Sequence, residues 1–140
     1  MDFKAIDIKE LIPQREPFVM VGQILEVGDQ SITTSLIVSG ENVLVHDGFF
    51  QESGLVENIA QTAAALSGYV ARLNSEKVKL GFIGAIKNLV VHALPEVGTR
   101  IETTVEIMDK ILNVDIIRGT VRQGKEIMAE CEMKIFLEEN

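Results

Sequence analysis

The chemistry this sequence can do gathers around one carboxylate. Glu57 is the only charged residue in the seventeen-residue run from Gly54 to Val70. Apolar residues recur all round a helical wheel drawn on that run, so it is expected to form a helix enclosed on nearly every side. A carboxylate there is costly unless it is paired, protonated or used. Gln61 stands one helical turn further along the same face. Two readings of Glu57 stand side by side: a carboxylate kept because it is useful, or a negative charge suited to a helix N-terminus. The segment Gln51-Glu52-Ser53-Gly54 precedes the run as a turn, with Ser53 as the expected cap. Free backbone N–H groups would then lie beside the carboxylate, where they can polarise a carbonyl oxygen.

The other reactive residues are few. Two histidines, His46 and His92, and one cysteine, Cys131, make a His/Cys metal site an unpromising reading. No glycine-rich phosphate loop, zinc spacing or nucleophile elbow occurs, and no cofactor is implied. Cys131 falls on the apolar face of an alternating segment and is expected in the core rather than as a nucleophile. A single cysteine excludes an internal disulfide and fits a reducing compartment. Across 140 residues, 21 acids against 13 bases give a net charge of −8, which disfavours nucleic acid or an anionic membrane as partner. Asn58, Gln61, Thr62 and Ser67 argue against the central helix spanning a membrane. Met1 to Asp7 lacks the basic and apolar regions of a signal peptide. The expectation is one soluble, cytoplasmic domain over residues 1–140.

The elements that must position Glu57 follow from periodicity. Ile6 to Ile12 reads as a short helix ended by Pro13. Phe18 to Val21, continued by Ile24 to Val27, reads as a strand, and Gly28-Asp29 turns it into a second strand, Ser31 to Val38. The segment from Ser39 passes through His46-Asp47-Gly48 to the helix, which runs to about Leu73. Leu80 to Val91 is a strand whose Gly81 and Gly84 predict a bulge or a close backbone approach. After the turn Pro95-Glu96-Val97-Gly98, residues Ile101, Thr103, Val105 and Ile107 share one face. Leu112, Val114 and Ile116 alternate in the next strand, then Ile127, Ala129, Cys131, Met133, Ile135 and Leu137 in the last. An antiparallel sheet with one apolar face, curled around one helix, is the simplest architecture, an α+β fold. Ala60, Ala63, Ala64, Ala65 and Gly68 would let neighbouring backbone approach the helix closely.

Several segments, in one order, carry a resemblance. Leu11-Ile12-Pro13-Gln14-Arg15-Glu16-Pro17-Phe18-Val19-Met20-Val21 resembles the Leu-Pro-His-Arg-x-Pro-Phe-Leu-Leu-Val opening of the β-hydroxyacyl-acyl carrier protein dehydratases. Glu57-Asn58-Ile59-Ala60-Gln61 is similar to their Glu-Ala-Met-Ala-Gln, and Phe82-Ile83-Gly84-Ala85-Ile86-Lys87 to their Phe-x-Gly-Ile-x-Lys. Leu94 to Gly98 and Gly124 to Glu130 match two later motifs. The resemblance implies the hotdog fold. It also implies a dimer joined edge to edge, in some members a trimer of dimers, with active sites between subunits. The implied reaction removes water from a 3-hydroxyacyl chain on acyl carrier protein, giving a trans-2-enoyl thioester. A histidine takes the α-proton, a carboxylate from the other subunit's helix handles the hydroxyl, and N–H groups hold the thioester oxygen. By position, Glu57 matches the carboxylate and Gln61 its companion. Gly54 and Leu55 are near the oxyanion position, and Phe82, Ile83 and Gly84 would border the acyl tunnel.

The family's Gly-His-Phe-Pro motif is missing. In one alignment His46 supplies the base; in the other Phe49-Phe50-Gln51 matches the family and Ser53 stands where the histidine belongs. His92 reads as structural or exposed. Beside the dehydratase, two further readings stand: a non-catalytic hotdog subunit paired with an active dehydratase, and an acyl thioesterase with Glu57 activating water. The chain also resembles divergent dehydratase-like proteins of bacterial polyene pigment pathways, which supports the subunit reading. An acidic carrier would need a basic patch, for which Arg15, Arg72, Lys77, Lys79 and Lys87 are candidates.

Overall fold

Period-two segments pair with one another and the one 3.6-period segment packs across them. In a computed structural model, which describes residues 3–138, the order is β1 (Gln23–Val27), β2 (Ser31–Ile37), β3 (Val45–His46), β4 (Phe49–Phe50), α1 (Glu52–Leu73), β5 (Gly81–Val91), β6 (Arg100–Ile111), β7 (Val114–Gln123) and β8 (Glu126–Leu137). Met1, Asp2, Glu139 and Asn140, which the expected domain and leader readings touch, lie outside the described residues. Six strands form one antiparallel sheet in the order β1-β2-β6-β7-β8-β5, and β3 pairs only with β4. One helix against this sheet is the expected α+β arrangement. No helix among the described residues is long and apolar enough to cross a membrane.

The helix is apolar all round because it is covered on two sides. Leu55, Ile59 and Leu66 are buried in one core with Ile32, Ile101, Val105, Ile117 and Val121 of the sheet. Each such side chain contributes about 1.5–3 kcal/mol by leaving water. Leu11, Ile12, Met20 and Val21 of the N-terminal segment belong to the same core. Glycine is required at two of these contacts. A Cβ on Gly68 would stand 1.9 Å from the Leu11 carbonyl oxygen, and one on Gly119 2.3 Å from Ile59 Cγ2.

The structure departs from the sequence reading at several points. Residues 6–12 form no continuous helix. Two 3₁₀ turns, Phe3–Ala5 and Ile8–Glu10, stand on either side of Asp7, whose extended backbone and side-chain bond to Lys9 N cap the second. Residues 18–21 are not strand, because their backbone groups are engaged by side chains of α1, as described below. Ser53 is not the cap. The helix starts at Glu52, and Gln51 holds the cap position without a side-chain cap bond. Its Nε2 donates instead to the carbonyls of His46 and Phe49, at 3.1 and 2.9 Å. Between those residues Asp47 and Gly48, with φ of 52° and 84°, form the two-residue turn of the β3–β4 hairpin. Leu112 is not in a strand. It sits at the β6–β7 turn with φ of 56° and is 99% exposed.

Two changes of phase matter for the site. In β7 the inward residues are Ile117, Gly119 and Val121 rather than Val114 and Ile116, as their burial shows. In β8 a register shift opposite Val121 and Arg122 leaves Ile127 partly exposed and buries Met128 beside Ala129. The bulge expected in β5 is present, between Ile83 and Ala85. A Cβ on Gly84 would come within 2.1 Å of the Phe136 ring.

Candidate functional site

Glu57 lies in the second turn of α1 and is partly buried. Its Oε2 accepts a hydrogen bond from Gln61 Nε2 at 3.0 Å. Gln61 is 0% exposed, and the rest of its amide is tied to the N-terminal segment. Nε2 donates to the Phe18 carbonyl at 2.9 Å, and Oε1 accepts from Met20 N at 2.7 Å. Asn58 completes the clamp, its Nδ2 donating to the Met20 carbonyl at 2.7 Å. Both backbone groups of Met20 are thus satisfied by side chains of α1, which is why this segment needs no strand partner.

The clamp continues inward. Asn58 Oδ1 accepts from Thr103 Oγ1 of β6. Thr62 Oγ1 donates to the Asn58 carbonyl at 2.7 Å and meets Thr34 Oγ1 of β2 at 2.9 Å. A buried polar network held at every member rigidifies the element that carries it. Here it fixes the rotation of α1, and with it the position of Glu57. Sequence reasoning found Gln61 but gave Asn58 no role; a second amide one residue from the carboxylate was the signal.

Glu57 lines a cleft of about 310 Å³ between α1 and the β5–β8 edge. Ala60 and Ala64 form its helix wall, and Phe82, Ile83 and Ile135 its strand wall. Small residues on the helix therefore open space on this side, whereas Gly68 admits backbone on the other. Gln14 also lines the cleft, and its Oε1 is buried without a hydrogen-bond partner among the described residues. Gly84 does not line it and serves the β5 bulge instead.

Of the N–H groups at the helix start, that of Leu55 donates to the Gln51 carbonyl at 3.0 Å. The Gly54 N–H makes no hydrogen bond among the described residues, and its missing Cβ makes room for the Phe50 ring, 2.4 Å from where that atom would stand. His46 is outside the cleft lining. Its side chain is 77% exposed, and Nε2 lies 3.2 Å from Asp47 Oδ2. Ser53 is exposed in the first turn of α1. His92 Nε2 lies 3.2 Å from Glu130 Oε2 at the surface. Cys131 is buried, and burial with the neighbouring Glu132 pushes its thiol up to about 11, so it stays protonated at neutral pH.

One residue of the cleft was missed. Asp115 of β7 stands opposite Lys110 of β6 and Ile135 of β8 and lines the same cleft as Glu57. Burial raises its carboxyl above the ordinary range, and Lys110 offsets part of that rise. Among the basic residues, Arg15 donates to the carbonyls of Ile12 and Gln14, and Arg72 pairs with Glu10 at 2.9 Å. Lys79 lines the cleft, while Lys77 and Lys87 are exposed. Among the described residues no group of three or more His, Cys, Asp and Glu side chains could hold a metal ion.

Comparison with known proteins agrees with this geometry. The profile of the ApeP-like family, described as ApeP dehydratase, matches residues 6–140. The 3-hydroxyacyl-acyl-carrier-protein dehydratase FabZ of Clostridium kluyveri is 30% identical over 142 residues, covering 98% of this chain and 97% of its own. An uncharacterised thioester dehydrase of Halalkalibacterium halodurans is 29% identical over 147 residues, covering 96% and 92%. Among solved structures, the dehydratase heterocomplex ApeI:P from Xenorhabdus doucetiae superposes with a TM-score of 0.84 at 15% identity, covering 96% of this chain and 93% of that one. At that identity the likeness speaks for the fold, which is the hotdog fold.

Proposed function

The chain belongs to the ApeP-like dehydratase family, and from that premise we propose that it removes water from 3-hydroxyacyl thioesters of acyl carrier protein in the cytoplasm, leaving the trans-2-enoyl thioester. One observation carries the reading: a carboxylate held by a buried amide, Glu57 by Gln61, heads a cleft of about 310 Å³ walled on one side by Ala60 and Ala64 and on the other by Phe82, Ile83 and Ile135.

In this reading the acyl chain runs along Ala60 and Ala64, bordered by Phe82, Ile83 and, through the β5 bulge, Gly84. The thioester oxygen takes the free N–H of Gly54 at the helix start. Leu55, whose N–H already serves Gln51, supports the turn rather than the oxygen. Glu57 gives a proton to the departing 3-hydroxyl, which leaves as water. The α-proton goes to a base, the C–H electrons form the new double bond, and the thioester carbonyl stabilises the developing charge. The proposed base is His46, and its place outside the Glu57 cleft means that a second subunit must bring it there. A homodimer closing on the β5 edge, alone or in a trimer of dimers, would do this. The exposed Phe82, Ile86 and Val90 of that edge support such a contact. Lys77 and Lys87, exposed and without ion pairs among the described residues, are available to the acidic carrier.

The same exclusion of His46 favours a second reading, a subunit that pairs with an active dehydratase. The likeness to one chain of a heterocomplex fits it. The deciding experiment incubates the purified protein with a 3-hydroxyacyl carrier thioester and follows water loss by intact mass. Loss of one water that disappears in both Glu57→Gln and His46→Ala supports the self-sufficient enzyme. Water loss unchanged in Glu57→Gln would refute the role of the carboxylate. No reaction alone, with reaction on adding an active homologue, would support the paired subunit.

A further inference from the structure

Two cavities lie between α1 and the sheet, and they meet at Asp115. The cleft that begins at Glu57 and a second of about 290 Å³ share Ala63, Ser67, Lys79, Asp115 and Leu137. The second continues under Val70 and Ala71 toward Ile107 of β6. Beyond the charged side chains at the junction, Leu66, Val70, Ile107 and Ile117 give the second cavity an apolar stretch along the helix, and Asp29, Glu76 and Lys110 line it as well. The Asp115 side chain stands there with no hydrogen bond or ion pair among the described residues; burial raises its carboxyl above the ordinary range, and Lys110, which lines the second cavity, offsets part of that rise. A partly buried carboxylate between two cavities, offset only in part by Lys110, costs stability and has another reason to be there.

We propose that Asp115, with Lys79 at the same junction, limits the length of acyl chain the protein accepts by closing the Glu57 cleft against alkyl carbon. The inference rests on the thioester reading of that cleft. Each methylene gains free energy by leaving water. A chain that reaches the junction must also strip water from Asp115 and Lys79, and it can offer neither a hydrogen bond nor a charge in return. Ala63 and Ser67 stand six and ten residues beyond Glu57, about 9–15 Å along the helix axis. An extended chain advances three bonds in roughly 3.3–3.6 Å, so the limit falls roughly 8–13 bonds beyond the carboxylate. Chains shorter than that fill the first cleft alone; longer ones must cross the partition.

The test is a chain-length series of 3-hydroxyacyl carrier thioesters spanning that limit, on wild type, Asp115→Leu and Asp115→Asn. Saturated acyl-pantetheine amides of the same lengths are titrated in parallel by calorimetry. Wild-type turnover and amide affinity are expected to rise with length and then fall at the junction. Asp115→Leu should move the fall outward and raise the long-to-short ratio by about tenfold, the worth of burying about two more methylenes. Asp115→Asn should move it the same way by less. The same fall-off length in folded variants as in wild type, or no amide binding at any length, would overturn the proposal. If the leucine variant does not fold, the asparagine variant decides by the same criterion. If no thioester turns over, the dehydratase reading has failed, and the amide titration still decides: a shifted fall-off supports the partition and an unshifted one removes it.

Discussion

Gln61→Met isolates the clamp that holds Glu57. Methionine keeps the unbranched shape and nearly the volume of glutamine, so little cavity or strain is added. What is lost is the partner of Met20 N–H, one partner of the Phe18 carbonyl and the donor to Glu57 Oε2, bonds of 2.7, 2.9 and 3.0 Å. The last is worth only about 0.5 kcal/mol because Glu57 is partly exposed. Met20 is 0% exposed, so water cannot replace the amide there, and a buried N–H left unpaired costs about 1–3 kcal/mol. Phe18 is 62% exposed, and its carbonyl adds only about 0.5–1 kcal/mol because solvent can reach it. The expected loss is therefore about 2–4 kcal/mol, a fall in Tm of roughly 6–16 °C for a chain of this size. Guanidinium unfolding at one fixed protein concentration measures it, since self-association adds a concentration term. A loss below about 0.5 kcal/mol with unchanged m-value would mean that the amide does not hold the 18–20 segment, and the account of Glu57's placement would fall with it.

Gly68→Ala tests the opposite face of the helix. Alanine is favoured over glycine in a helix by about 1 kcal/mol. Here its Cβ would meet backbone, the Leu11 carbonyl oxygen at 1.9 Å, so a net loss of about 2–4 kcal/mol in denaturant unfolding is expected; unchanged stability would show that the segment around Leu11 does not pack there. Asp115→Asn should change the pH dependence of stability. The folded carboxyl titrates above 3.8, so the native state holds its proton longer than the unfolded chain. Stability is therefore lost as pH rises from 3.8 through the folded value, and the asparagine variant escapes that loss. The Tm difference, variant minus wild type, should shift in favour of the variant between acid and neutral pH; a constant difference would refute the burial argument.

The sequence alone determined the helix, the antiparallel sheet around it, the β5 bulge and the burial of Cys131, because each is written in a local period or a glycine that the pattern cannot otherwise explain. It also determined that Glu57 and Gln61 share a face, since four residues are one helical turn. The motifs around them resemble those of its family in residue type and order. Helix start was less legible: Ser53 satisfies the capping rule, yet the β3–β4 hairpin takes the Gln51 side chain and moves the start to Glu52. Residues 18–21 read as strand because they are apolar, and only the fold shows that Asn58 and Gln61 satisfy the Met20 backbone from 38 and 41 residues away. Asp115 was hidden for a sharper reason. Val114, Ile116 and Ile117 make both faces of β7 apolar, so alternation cannot say which way Asp115 points. The pairing of β7 with β6 and β8 decided it, setting Asp115 between Lys110 and Ile135 and in the same cleft as Glu57.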